Sequence, residues 1–111
     1  MGGNQMAKYL LRGNYVASGV KGLMAEGGTK RRDAAAAAIK SAGGSLESFY
    51  FAFGDTDVVG ICEFPDAASA VALSLLINST GAVTLQFTPL LTCEDLDAAA
   101  KKSPTYRPPG G

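Results

Sequence analysis

Four residues, Gly54-Asp55-Thr56-Asp57, stand between two apolar runs, Phe49 to Phe53 and Val58 to Phe64. Glycine reaches positive φ without strain, and aspartate bonds to nearby backbone amides, so the stretch favours chain reversal. It reads as a tight hairpin turn joining two central strands. Helical patterns lie on either side of that hairpin, so it sets the order of the elements and narrows the choice of fold.

Lys8 to Val16, with Tyr9, Leu10, Leu11, Tyr15 and Val16, reads as a first strand. Ser18-Gly19 opens a helical turn carrying Val20, Leu23 and Met24, interrupted at Gly27-Gly28. Thr29 is expected to cap a helix running to about Ala42, with Asp33 in its first turn, where negative charge suits the dipole. Ala35, Ala38, Ile39 and Ala42 share one face of that helix. The alanine run from Ala34 to Ala38 favours helix and is small enough to lie close against a sheet. Gly43-Gly44 ends it.

Leu46 to Phe53 is the expected second strand, with Phe49, Phe51 and Phe53 on one face and Leu46, Ser48, Tyr50 and Ala52 on the other. Asp57 to Phe64 is the third. Both are apolar on both faces, which predicts cover on both sides. Pro65 stops the third strand and Asp66 caps a helix from Ala67 to about Asn78. Val71, Leu73, Leu75, Leu76 and Ile77 cannot all face one sheet, so this helix needs a second apolar neighbour. The C-terminal segment and a partner subunit are the two candidates. Val83 to Leu91 follows as a fourth strand, and Glu94 to Lys102 as a short helix.

The order is therefore βαββαβ, the ferredoxin-like α+β pattern: a four-stranded antiparallel sheet with both helices on one face. The other face is bare. A bare apolar sheet is a liability in water, so two such faces are expected to meet in a dimer, or to enclose a ligand. The expected divisions are an N-terminal extension over residues 1–7, the domain over 8–96 and a tail over 97–111. Met6 reads as the native start, with Met1 to Gln5 a non-native remnant.

The chain has 111 residues, one domain's worth, with ten basic and ten acidic side chains. Nothing in that balance supplies the positive field that nucleic-acid binding needs, and Lys30-Arg31-Arg32 reads as a solvated helix face. The longest apolar stretch, Ala67 to Ile77, falls well short of the ~20 residues that span a bilayer, and no signal peptide is evident. Cys62 and Cys93 are too few for a disulfide framework. A reduced, cytoplasmic protein with no nucleic-acid or membrane partner is the expectation. There is no histidine, which removes histidine-ligated haem, histidine-rich zinc sites and histidine-based triads. No metal and no cofactor are expected.

Several segments taken together resemble the GYD domain family. They are Lys30-Arg31-Arg32-Asp33, Ala42-Gly43-Gly44, Phe49-Tyr50, Gly54-Asp55-Thr56-Asp57-Val58-Val59 and Glu63-Phe64-Pro65-Asp66. The resemblance covers roughly Lys8 to Leu96 and departs at Thr56, which stands where the family usually has tyrosine. It implies a ferredoxin-like fold assembled as a dimeric α/β barrel, and it supplies no activity.

Polar residues on otherwise apolar strands need partners. Arg12 and Asn14 share a face of the first strand, Glu63 lies on the third and Gln86 on the fourth. An Arg12–Glu63 pair across the sheet is one arrangement that satisfies both. The functional alternative is a pocket on the open face lined by Arg12, Asn14, Tyr50, Glu63 and Gln86, with Arg12 holding an anion and Tyr50 donating a hydrogen bond. Asp55 and Asp57 read first as turn residues. No catalytic constellation is present. The leading expectation is a homodimer or higher homo-oligomer joined through its sheet face and apolar helix, with a small molecule between subunits. Two other readings stay open: a cofactor-independent enzyme acting on a small aromatic or lactone-like metabolite, with Tyr50 or Glu63 as acid or base, and a ligand-sensing regulatory module.

Overall fold

Alternation of apolar and polar side chains along β1 (Ala7–Tyr15) turns Tyr9, Leu11 and Gly13 to one face and Lys8, Leu10, Arg12 and Asn14 to the other. The computed structural model describes residues 6–111, so the expectation for Met1 to Gln5 lies outside the described residues. After β1 come α1 (Ala17–Glu26), α2 (Gly28–Ser41), β2 (Ser45–Phe51) and β3 (Val58–Phe64). They are followed by α3 (Ala67–Ser79), β4 (Val83–Pro89) and α4 (Cys93–Ala100). The strands form one antiparallel sheet in the order β2-β3-β1-β4. This is the ferredoxin-like α+β fold.

The hairpin forms around Gly54–Asp57 as expected, but its connection is longer than a tight turn and one of its strands is an edge strand. Phe51 pairs with Val58, so six residues connect the strands, closed by Ala52 N donating to Asp57 O at 2.8 Å. Only β3 is central beside β1; β2 is an edge strand. Within β2 the register shifts between Leu46 and Ser48, leaving Glu47 as the extra residue of a bulge. The bulge flips the alternation, so Leu46 lies on the same face as Phe49 and Phe51, opposite Cys62, Gly60 and Val58. Phe53 is in the loop and exposed.

The core lies between this face and the helices: Tyr9, Leu11, Ile39, Val58, Cys62, Phe64, Ala70, Leu73 and Leu85. Phe64 is fully enclosed and takes edge contacts from Tyr9 and Phe87. Gly60 is required there, because a Cβ would lie 2.4 Å from the Ser48 carbonyl oxygen. Thr29 does not cap α2. Gly27, at φ 87°, holds that position without a side-chain bond, and the helix starts at Gly28. The cap of α3 is as expected: Asp66 accepts from Ser69 N at 2.8 Å, which pulls its carboxyl below the ordinary value. At the end of α2, Gly43 N and Gly44 N bond back to Lys40 O and Ile39 O, with Gly43 at φ 87°.

α3 turns Ala70 and Leu73 inward and leaves Val71, Leu75 and Leu76 exposed. The C-terminal segment does not cover them, since every residue from Thr88 to Gly111 is itself exposed. α4 carries a complete capping box, Thr92 with Asp95, yet buries no residue. No helix among the described residues is long and apolar enough to cross a membrane.

Candidate functional site

The register decides which polar residues share the face that the helices leave bare. Four rungs cross it. Ser45, Glu63 and Lys8 form the first, and Ser48, Ile61, Leu10 and Thr88 the second. Tyr50, Val59, Arg12 and Gln86 form the third, and Asn14 with Thr84 the fourth. Leu10, Val59 and Ile61 make a half-buried aliphatic centre, with polar side chains around it. All five residues of the expected pocket, Arg12, Asn14, Tyr50, Glu63 and Gln86, lie on this one face.

They do not share one cavity within a single chain. Arg12, Asn14 and Gln86 line a concavity of about 330 Å³ together with Asp55, Thr56, Asn78 and Thr84. The hairpin loop thus forms a wall of the pocket that contains Arg12. Tyr50 is two strand spacings from Arg12, roughly 10 Å, and borders a separate concavity at the β2 edge. Glu63 lies against Lys8 at the far end of the sheet, among Leu90, Leu91 and Asp95.

The expected Arg12–Glu63 pair does not form. Glu63 is opposite Lys8, four residues along β1 from Arg12 or roughly 13 Å away. Lys8 takes both acids: it bonds Glu47, which the bulge places within reach, and lies 3.7 Å from Glu63. The bond to Glu47 raises the Lys8 ammonium above its ordinary value. Arg12 instead donates to Gln86 Oε1 at 3.3 Å, and no carboxylate among the described residues pairs with it. An uncommitted guanidinium in a polar hollow is suited to a planar anion, which it can hold through two parallel bonds.

Asp57 has a structural role. Its carboxylate accepts from Tyr15 N at 3.0 Å, and its own amide donates to Asn14 Oδ1 and Gly13 O, both at 3.0 Å. The loop is thereby tied to the end of β1, and Asn14 is held in place beside Arg12. Asn78 was not anticipated. It bonds the N–H and C=O of Leu85 at 2.8 and 3.0 Å, occupying the outer edge of β4. An asparagine near the end of an apolar helix was the available signal.

Cys62 is enclosed on the helix side, where burial pushes its thiol up to about 11, so it is no nucleophile. No group of three or more acidic or cysteine side chains among the described residues is placed to hold a metal ion.

The family model of the GYD domain matches residues 9–100. No curated protein and no solved structure gives a match.

Proposed function

The chain belongs to the GYD domain family, and from that premise we propose that it is a homo-oligomeric domain whose uncovered sheet faces pack together and hold a small anion beside Arg12. The observation that carries this reading is the bare face itself. Leu10, Val59 and Ile61 form an aliphatic centre between Tyr50 on one side and Arg12 and Gln86 on the other. Packing two such faces removes the centre from water, and burial of apolar area drives association. It also lowers the local dielectric around Arg12, which strengthens its hold on a charged ligand.

The test is native mass spectrometry of the wild type, Ile61→Lys and Arg12→Gln. The wild type is expected as a dimer or larger assembly that retains a small mass. Ile61→Lys places like charges at the centre of the interface and yields monomer. Arg12→Gln keeps the assembly and loses the bound mass. A wild type that stays monomeric at micromolar concentration would overturn the proposal.

A further inference from the structure

On the opposite side of the sheet, α2 and α3 stand apart over an apolar slot of about 130 Å³. Its cause is the alanine run. Ala34, Ala35 and Ala38 face the gap with single methyl groups, while Ile39 alone reaches fully into the core. The small side chains were expected to bring the helix down onto the sheet. Ile39 and Ala38 do pack against the core, while Ala34 and Ala35 leave space on the side that faces Ile77 and Phe87. The slot opens to solvent at the end where Ala34 is exposed. An engineered apolar cavity of about 150 Å³ in another protein admits benzene, so this slot has room for one ring or a chain of about six carbons.

The rim is polar and specific. Arg31 and Tyr15 line the slot and also line a second hollow of about 160 Å³ that reaches Ser18 and Glu26. Arg31 thus stands where the apolar slot meets a wetter chamber. Its only ion-pair partner among the described residues is Glu26, with Nη1 to Oε2 at 3.5 Å. The guanidinium has five N–H donors, so most of them are uncommitted. Arg31 also sits in the first turn of α2, where the helix dipole adds to the attraction for an anion.

We infer that this slot binds a small monocarboxylate with an apolar tail of about six carbons, the tail against Ala35 and Phe49 and the carboxylate on Arg31. Glu26 competes for the same guanidinium and so tunes the affinity. The site is separate from the Arg12 face and does not depend on assembly through it.

Titration calorimetry with cyclohexanecarboxylate, and with its neutral amide as control, tests this. The acid is expected to bind at least tenfold more tightly than the amide. Arg31→Gln should reduce the acid to the level of the amide, and Glu26→Gln should tighten it several-fold. Ala35→Leu, which fills the slot, should abolish both, with circular dichroism confirming that the variant is folded. Lys40→Gln, an exposed cation on α2 that lines neither site, should change nothing. Equal binding of acid and amide, no saturable binding of either, or indifference to Arg31→Gln would overturn the inference. Loss through Arg12→Gln with Ala35→Leu silent would overturn it too, because the ligand would then be on the sheet face.

Discussion

Ala35→Leu should stabilise the fold, which is uncommon for a small-to-large substitution near a core. The slot forfeits packing across about 130 Å³. At ~24 cal/mol per Å³ of cavity, that is a ceiling of about 3 kcal/mol available to any filling side chain. Leucine adds three carbons at ~0.8 kcal/mol each, a gross gain of about 2.4 kcal/mol. Ordering the side chain costs about 0.5–1 kcal/mol, and the lower helix propensity of leucine a few tenths more. The net expectation is roughly 1–1.5 kcal/mol of stabilisation. In urea the midpoint rises with an unchanged slope, and Tm rises by roughly 5 °C. All measurements are made at one protein concentration, because assembly also shifts the midpoint. Ala37→Leu, on the exposed side of the same helix, is the control and should lie within about 0.5 kcal/mol of wild type. If Ala35→Leu is destabilised, or matches Ala37→Leu, the slot is not space that a side chain can fill, and the reasoning about its ligand fails with it.

Gly60→Ala should lose about 1–3 kcal/mol, since the new Cβ meets the Ser48 carbonyl oxygen at 2.4 Å; denaturant unfolding reads this, and a neutral result would mean that the β2 bulge can yield. A thiol reagent should modify Cys93 at once and Cys62 only on unfolding, because Cys93 is exposed and Cys62 is enclosed; two fast thiols would contradict the core assignment. Asp66 has a depressed carboxyl pKa in the folded chain, so its contribution is present above the ordinary value near 4 and is lost as the pH falls through the folded value. The stability advantage over Asp66→Asn should therefore close as the solution is acidified below about pH 4, and an advantage that persists in acid would place the stabilisation elsewhere.

The order of elements was legible because period-two and helical patterns alternate cleanly, and Gly43-Gly44, Pro65 and Asp66 mark ends whose chemistry is local. The open face was legible in outline, since Arg12, Asn14, Tyr50, Glu63 and Gln86 do lie together on it. What stayed hidden depends on pairing between distant strands. A single unpaired residue, Glu47, reverses the alternation of Leu46 and brings an acid to Lys8. Nothing local in Ser45 to Phe51 signals that bulge, because it is defined only by the pairing of β2 with β3. The Arg12–Glu63 pairing failed for the same reason: face can be read from parity, whereas position along the strand needs the register. The slot was not legible because alanine is both a small contact and a missing one. Which of these it is depends on whether the neighbouring side chains close the gap.

The uncovered sheet is small for the role proposed. Four strands at ~4.8 Å and seven residues at ~3.3 Å give a face of roughly 19 by 23 Å, or about 440 Å². A stable interface buries about 800 Å² per partner, so the sheet alone would give a weak dimer. The same chain carries other apolar surface without a neighbour. Leu91 is 72% exposed and Leu96 62%, on an arm that buries nothing, and Leu75 on the outer face of α3 is 67% exposed. The radius of gyration, 17.0 Å against roughly 13 Å for a compact chain of this length, agrees with an arm held away from the body. An isolated helix of eight residues is marginal in water, yet α4 has a full capping box. In the proposed assembly the arm packs on a second copy and supplies the missing area. Truncation after Leu91 should then weaken the assembly more than tenfold, read by sedimentation across a dilution series. Under conditions where both proteins are monomeric, the urea midpoint should not move, because the arm contributes nothing to the body of its own chain. A truncated protein that assembles as tightly as the full chain would show that the sheet face suffices. A lowered midpoint in the monomer would show that the arm serves its own chain.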